Sequence, residues 1–442
     1  MSGDPYDRRM RRSRRVPVRD WMSYRGGRSV VHVFGPLDIS VAQLEAGLVA
    51  RSKMAPDYFA LQTFDVSKQR LSFPFRGLYP DVARRLLRVD PRPMDDPNCW
   101  AAELAEDASP EELVLWKYRD GYVAFVFSHM IADGRSATRS AMEVIALAQG
   151  HDVEISTGRR HRLPIARAAV KTYSRKPGAF VDVIKGVLPG TSRSDDSSAS
   201  DGPSREERGA SEATISTNDI AIAHCMLDSR QTARLATWRA TQTPQVRLAA
   251  SVISGFCGAL IAEGFTLSPL APYVVWDIRR YAGIQELDPT NLLGGVMLSV
   301  ADPTDPQLVG DAIHQATLNA EPLGGTVSEA VFGWRDRRSD FGKQGPQART
   351  RELSSLPTEP MPALSVLTDP MMEQLPWAAP PDERTYITFI NTCEPAAVPL
   401  LIEQIDGVIH MTAVCHAKVF DPCRVQAALQ RFANDPLELI AK

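Results

Sequence analysis

The sequence predicts an α/β protein with two lobes, and three observations lead to that fold class. The chain has 442 residues, 44% hydrophobic and 23% charged, which is enough for two hydrophobic cores. Strand-like and helix-like segments occur in both halves. A polar segment from Thr191 to Pro203 lies near the middle and cannot bury enough surface to offset its ordering entropy. We therefore expect residues 29–188 and 219–442 to form the lobes and residues 189–218 to be a flexible linker.

The first lobe is predicted to begin with a strand at Val30–Phe34 and a helix at Val41–Arg51. Further on, Tyr122–Phe127 is a run of six apolar residues without helical spacing, which predicts a buried strand. From Arg135 the pattern becomes helical, and Gly150 is the expected stop. The sequence thus predicts a strand-to-helix junction at residues 128–134.

The second lobe is predicted to mix strands and helices in the same way. A polar, arginine-rich stretch from Arg335 to Arg351 is expected to be a surface excursion. The expected strands are Ala221–Leu227, Tyr273–Tyr281, Val296–Val300, Ala363–Leu367, Thr385–Asn391 and Gly407–Val419, and the expected helices are one from Ser229, Leu248–Gly264, Pro306–Asn319 and Pro422–Asn434.

The charge of the chain is nearly balanced, with 50 Lys and Arg against 53 Asp and Glu, so nucleic acid is not expected as a partner. Residues 1–28 are the exception and predict a disordered basic arm. The arm is either a solvated tail or a segment that docks to an acidic partner or membrane surface. Its arginines are Arg8, Arg9, Arg11, Arg12, Arg14 and Arg15.

Neither a secretory signal nor a stretch of the ~18 apolar residues needed to cross a bilayer is present, so we expect a cytoplasmic monomer without membrane contact. The six cysteines are scattered without a CxxC pair, which favours reduced thiols. His410, Cys415 and His416 fall close together, but strand alternation points Cys415 away from the two histidines. We expect no metal site there.

His129 stands four residues before the pair Asp133-Gly134, directly after the buried strand. With eight histidines, about 0.03 chance matches to H-x-x-x-D-G are expected in such a chain. A histidine at a strand-to-helix junction can be held in one rotamer and one tautomer, which general-base catalysis needs. Asp133 either accepts a hydrogen bond from the ring or turns away and holds the loop.

From about Ser29 to the C-terminus, this order of features resembles the chloramphenicol-acetyltransferase-like superfamily, which includes condensation domains of nonribosomal peptide synthetases, plant BAHD acyltransferases, wax-ester synthases and polyketide-associated acyltransferases. The H-x-x-x-D-G element is the specific part of the resemblance. Ser128 stands where many members have a first histidine. The resemblance implies two pseudo-symmetric lobes, of the α+β sandwich type, around a central tunnel.

The resemblance also implies roles for individual residues. His129 matches the catalytic histidine, Asp133 the structural aspartate and Gly134 the glycine after it. The segment Asp277–Arg279 is similar to the family's Asp-Leu-Arg segment, so Arg279 is the expected partner of Asp133. Such an ion pair would keep the aspartate from competing for the histidine's proton and would hold the loop.

The resemblance implies a thioester-dependent acyltransferase that moves an acyl group from acyl-CoA or an acyl carrier protein to a hydroxyl acceptor, in lipid or secondary-metabolite biosynthesis. His129 would act as general base, with no metal or redox cofactor. Ser365 matches a serine that relatives often have near the tunnel, although an inward-facing core serine is an equal interpretation. A free-standing condensation enzyme that forms an amide with an amine acceptor, and a non-catalytic module that binds carrier proteins, remain alternatives.

Overall fold

The computed structural model describes residues 10–17, 20–21, 23, 29–54, 58–107, 112–155, 164–178, 213–216, 219–242, 244–269, 271–283, 291–338, 350–353, 356–367, 369–391 and 394–440. The strands are β1 (Met10–Arg15), β2 (Ser29–Gly35), β3 (Thr63–Asp65), β4 (Arg70–Pro74), β5 (Leu87–Val89), β6 (Val114–Arg119), β7 (Tyr122–Ser128), β8 (Ala213–Ser216), β9 (Ile220–Leu227), β10 (Tyr273–Asp277), β11 (Leu293–Met297), β12 (Thr350–Leu353), β13 (Met361–Leu367), β14 (Thr385–Ile390), β15 (Ala397–Ile405) and β16 (Val408–His416).

The helices are α1 (Val41–Met54), α2 (Tyr79–Leu86), α3 (Pro97–Asp107), α4 (Gly134–Ala148), α5 (Pro164–Tyr173), α6 (Ser229–Thr241), α7 (Leu248–Ala262), α8 (Arg279–Ala282), α9 (Pro306–Asn319), α10 (Glu321–Arg338), α11 (Pro422–Asn434) and α12 (Pro436–Ile440). None of the helices in the described ranges combines the length and the apolar character that a bilayer span requires. The described strands form sheets in the orders β14-β2-β7-β6-β5, β11-β10-β13-β15-β16-β9, β1-β4-β3 and β12-β8.

The five-stranded sheet is the centre of the first lobe. Its strands are apolar on both faces, because α1 and α4 cover one face while α3 and the strand β16 of the other lobe cover the second. The helix α4 lies close to α1 at Gly47, where an added Cβ would come within 2.3 Å of the Val144 carbonyl oxygen. This close approach fixes α4, the helix that follows the motif, against the rest of the lobe.

The six-stranded sheet is the centre of the second lobe. The strands β10, β13 and β15 run parallel, and the others pair antiparallel. One face packs on α7 and α11 through apolar side chains such as Val274, Leu364 and Phe432. Alternate residues of the same strands point to the opposite face, toward the first lobe.

One strand crosses between the lobes. β14 is in the C-terminal half of the chain, yet it pairs antiparallel with β2 as the edge of the first lobe's sheet. The expected boundary, with all of residues 219–442 in the second lobe, is therefore wrong at residues 385–390. Strand periodicity predicts that a strand exists but not which sheet it joins.

Two expectations about irregular segments are also corrected. Met10–Arg15, expected within the disordered arm of residues 1–28, is a strand paired with β4, because backbone pairing does not require apolar side chains. Ala213–Ser216, expected within the linker of residues 189–218, pairs with β12. Val16 and Trp21, also expected within the arm, are buried in the first lobe's core. The rest of these two expectations falls on residues 1–9, 18–19, 22, 24–28, 189–212 and 217–218, which lie outside the described residues.

Several elements of the second lobe differ from their predicted bounds, and β16, expected at Gly407–Val419, ends at His416. The strand expected at Tyr273–Tyr281 ends at Asp277, and the strand expected at Val296–Val300 is Leu293–Met297. Gly294 and Gly295 weaken the strand pattern of the second of these segments, and pairing with β10 stabilises the strand in the structure. The stretch expected to be a surface excursion from Arg335 begins inside α10, and its residues 339–349 lie outside the described part of the chain.

Candidate active site

The motif occupies the turn between β7 and α4. β7 ends at Ser128, and α4 begins at Gly134. His129 is half-buried in this turn, whereas Asp133 is completely buried. The strand-to-helix junction predicted from the apolar run is therefore present, with the histidine at its start.

Asp133 is held by three groups from two lobes. Its carboxylate caps α4 by accepting from Ser136 N at 2.9 Å, and it also accepts from Leu292 N at 2.9 Å and from Arg279 Nη2 at 2.8 Å. Burial alone would raise the pKa of Asp133, but Arg279 and the backbone N–H groups outweigh it and lower the pKa. Asp133 therefore holds the loop, which answers the question that the sequence left open.

Arg279 is the second half of this contact and lies on the short helix α8 of the second lobe. It is only 3% exposed and also donates to Ser136 Oγ at 2.8 Å and to Asp277 Oδ1 at 3.2 Å. Burial alone would lower the pKa of Arg279, but Asp133 and Asp277 raise it. A more exposed ion pair, Arg135 with Asp277 at 2.7 Å, joins the same two lobes nearby.

His129 is contacted by a residue that sequence reasoning missed. Asn291 Nδ2 lies 3.0 Å from His129 Nδ1 and 3.2 Å from the His129 carbonyl oxygen. Asn291 lies 162 residues further along the chain and belongs to no motif identified in the sequence, so no local pattern indicated that it contacts His129. The next residue, Leu292, is the one that donates to Asp133, so two consecutive residues of the second lobe contact both ends of the motif turn.

Ser365 lies in the middle of β13, on the sheet face turned toward the motif. Leu364 points into the second lobe's core, so Ala363, Ser365 and Leu367 share the opposite face. On that face the Leu367 side chain meets Gly134, where an added Cβ would lie 3.0 Å from it. Ser365 is half-buried, so the sequence-predicted residue faces the motif side of the sheet rather than the core.

The same face of β10 and β13 forms a surface that we call the cleft floor, consisting of Tyr273, Val275, Ala363 and Ser365. All four are half-buried. Gly295 lies opposite Val275, and a Cβ there would come within 1.8 Å of the Tyr273 hydroxyl, so glycine leaves room for that ring. No side chain of the floor is charged.

A second polar group between the lobes, which we call the histidine seam, consists of His32, Tyr386, Glu403 and His410. Each is at most 2% exposed. Tyr386 Oη lies 2.8 Å from His32 Nδ1, and Glu403 is directly opposite His410 across β15 and β16. Burial lowers the pKa of His32 and of His410 to about 3 and raises the pKa of Glu403 well above its ordinary value. His32 and His410 are therefore neutral at pH 7, and burial opposes ionisation of Glu403.

The sequence matches no known family model and no curated protein. Solved structures do match. The trichothecene 15-O-acetyltransferase TRI3 from Fusarium sporotrichioides has a TM-score of 0.62 at 11% identity, covering 98% of this chain and 97% of that one. The first condensation domain of the calcium-dependent antibiotic synthetase has a TM-score of 0.57 at 12% identity over 97% and 96%. Polyketide synthase associated protein 5 from Mycobacterium tuberculosis has a TM-score of 0.53 at 14% identity over 94% and 96%.

The chain shares the fold of this acetyltransferase and of this condensation domain. These neighbours comprise an acetyltransferase, a condensation domain and a protein associated with a polyketide synthase, and each match extends over nearly the whole of both chains. The predicted fold class, two mixed lobes of this architecture, is confirmed. At identities of 11% to 14% the likeness concerns the fold.

Proposed function

We propose that this protein is an acyltransferase that moves an acyl group from a thioester to a hydroxyl acceptor, with His129 as general base. One observation carries the proposal. His129 is a half-buried histidine at the junction of two lobes, and the second lobe contacts both ends of its turn. A turn held in this way can keep an imidazole in one orientation, as proton transfer in a transition state requires.

The proposed reaction needs only one proton acceptor. The hydroxyl oxygen attacks the thioester carbonyl while its proton passes to the imidazole of His129. The carbon–sulfur bond then breaks, and the thiolate recovers that proton, so an ester and a free thiol are the products. Because the thioester is already activated, bringing the two substrates together supplies much of the acceleration. An unperturbed histidine has a pKa of about 6.5, so a base of this type is mostly neutral near pH 7.

The tetrahedral oxyanion would need a hydrogen-bond donor, and the first N–H groups of a helix such as α4 can supply one when they are not already bonded. The N–H groups of Ser136 and Ala137 already donate to Asp133. These two groups therefore belong to the cap of α4.

The residues of the cleft floor are suited to contact a substrate that carries an apolar group. Its residues are half-buried and uncharged, and the same sheet face meets the motif turn at Leu367 and at Asp277. An acyl chain that packs on this floor would gain about 25 cal/mol of binding free energy for each Å² of apolar surface that it buries. We propose that the donor is acyl-CoA or an acyl carrier protein and that Ser365 contacts the substrate.

The test is to incubate the protein with a panel of acyl-CoAs and acylated carrier proteins, together with alcohol and amine acceptors, and to detect products by mass spectrometry. We expect an ester product, and we expect His129→Ala to fold normally while its turnover falls by ~10² or more. His151→Ala, at an exposed histidine, is the matched control and should turn over at the wild-type rate.

Near-wild-type turnover of His129→Ala would refute the role of this histidine. If products form only with amine acceptors, the reaction is amide formation and the proposed ester formation is refuted. Thioesters left intact with every acceptor, together with tight binding of a carrier protein, would refute catalysis and indicate a carrier-binding module.

A further inference from the structure

Asn291 is placed to control the chemistry of His129 from the opposite lobe. It is 3% exposed, and its amide nitrogen lies 3.0 Å from Nδ1 and 3.2 Å from the carbonyl oxygen of the same histidine. Leu292, the next residue, donates to Asp133 at the other end of the turn. The backbone hydrogen bond of Leu292 therefore holds the neighbouring asparagine in place against the loop that it contacts.

The two contacts of this amide determine the direction in which each hydrogen bond runs. A backbone carbonyl oxygen only accepts, so the amide end facing it must be the NH₂ group. The second hydrogen of that NH₂ group points to Nδ1, which must then be the acceptor. A neutral imidazole carries one proton, so in this arrangement the proton is on Nε2.

This arrangement has a consequence for proton transfer. With its proton on Nε2, the ring can donate from that atom but cannot accept there. If the amide turns by 180°, its carbonyl oxygen accepts from Nδ1–H, and Nε2 then holds the lone pair that a base needs. The turn sacrifices the hydrogen bond to the His129 carbonyl, so the two arrangements are distinct states.

We propose that Asn291 is a positioning residue that orients the imidazole of His129 and, through the direction of its amide, determines which ring nitrogen carries the proton. At rest it holds the Nε2–H form, and the turned amide gives the form that acts as a base. The kinetic consequence rests on the proposed function. The tautomer itself does not depend on any assay of acyl transfer.

Asn291→Asp and Asn291→Ala separate orientation from tautomer. An aspartate has no donor end, so it accepts from Nδ1–H in either direction, whereas an alanine removes the contact. Thr232→Val is the matched control, since it removes a buried side-chain hydrogen bond, to the Leu227 carbonyl at 3.2 Å, within the second lobe. Urea denaturation of each variant checks that it is folded.

The direct test is ¹⁵N NMR of histidine-labelled protein near pH 7, with the His129 signals identified by their loss in His129→Ala. We expect the Nε2–H form in the wild type and in Thr232→Val, and a proton on Nδ1 in Asn291→Asp. A wild-type ring protonated on Nδ1 at rest would overturn the proposal, as would a tautomer unaffected by Asn291→Asp. This result stands even if no acyl transfer is found, so the two proposals fail separately.

The kinetic test measures acyl transfer by each variant in the reaction found for the wild-type protein. For Asn291→Ala we expect kcat to fall about 10- to 100-fold, with KM within about threefold, because the ring is no longer oriented. For Asn291→Asp we expect a smaller fall and an acid limb of the pH profile moved up by roughly one unit, because a carboxylate favours the imidazolium. Wild-type kcat and an unmoved acid limb in both variants would contradict a positioning role.

Discussion

The motif turn and the histidine seam both place histidines between the two lobes, and they differ in exposure. His129 is half-buried and hydrogen-bonded to Asn291, whereas His32 and His410 are at most 2% exposed, and burial lowers their pKa to about 3. A histidine that cannot gain a proton near pH 7 serves as a neutral packing group. Partial exposure, together with contacts that hold the ring, therefore distinguishes a candidate base from a structural histidine.

The largest expected effect concerns the ion pair that holds the motif turn. Arg279→Leu should lower the free energy of unfolding by about 3–5 kcal/mol, because it leaves the Asp133 carboxylate buried without its cation. Arg135→Leu removes an ion pair whose arginine is about half exposed and should cost at most about 1 kcal/mol. Urea denaturation measures both, and equal losses would show that Arg279 does not stabilise the turn.

The second expected effect concerns the histidine seam and depends on pH. As the pH falls from about 6.5 toward 4, unfolded histidines gain protons, whereas His32 and His410 in the folded protein stay neutral until about pH 3. The unfolded state then binds more protons, so stability falls with pH, by up to about 1.4 kcal/mol per pH unit for each histidine. Glu403, with its raised pKa, acts in the opposite direction above about pH 4.3.

His410→Gln isolates one of these contributions. Between pH 6.5 and 5, its unfolding free energy should depend on pH less steeply than that of the wild type, by up to about 1.4 kcal/mol per unit. His151→Gln, at an exposed position, should keep the wild-type slope. An unchanged slope in His410→Gln would mean that the seam histidine gains its proton as readily folded as unfolded.

The smallest expected effect concerns the contact between Gly134 and Leu367. An alanine Cβ at position 134 would lie 3.0 Å from the Leu367 side chain, so the leucine must move by a few tenths of an ångström. We expect Gly134→Ala to cost about 1 kcal/mol and Leu367→Val, combined with it, to recover part of that loss. A double-mutant cycle by thermal denaturation measures the coupling, and additive effects would exclude steric contact between these positions.

Sequence patterns located several elements because their signals are local. The helices α9 and α11 have the predicted bounds, since each begins with a proline after a capping aspartate, Asp305 or Asp421. The strand and helix around His129 followed from an apolar run and a change of period. Strand β15 was missed, although it is buried along most of its length and the turn pair Asp406-Gly407 follows it, because Pro399 interrupts its apolar run.

Local sequence patterns located the strand-to-helix junction and the motif that stands in it, and the family resemblance pointed to Arg279 as the partner of Asp133. The packing of the two lobes, which no local pattern encodes, places β14 in the first lobe's sheet, buries His32 and His410, and brings Asn291 to His129. The two kinds of feature differ in how far apart along the chain the interacting residues lie. Capping and periodicity depend on residues two to four positions apart, whereas burial and a hydrogen bond between residues 129 and 291 exist only once the two lobes have packed together.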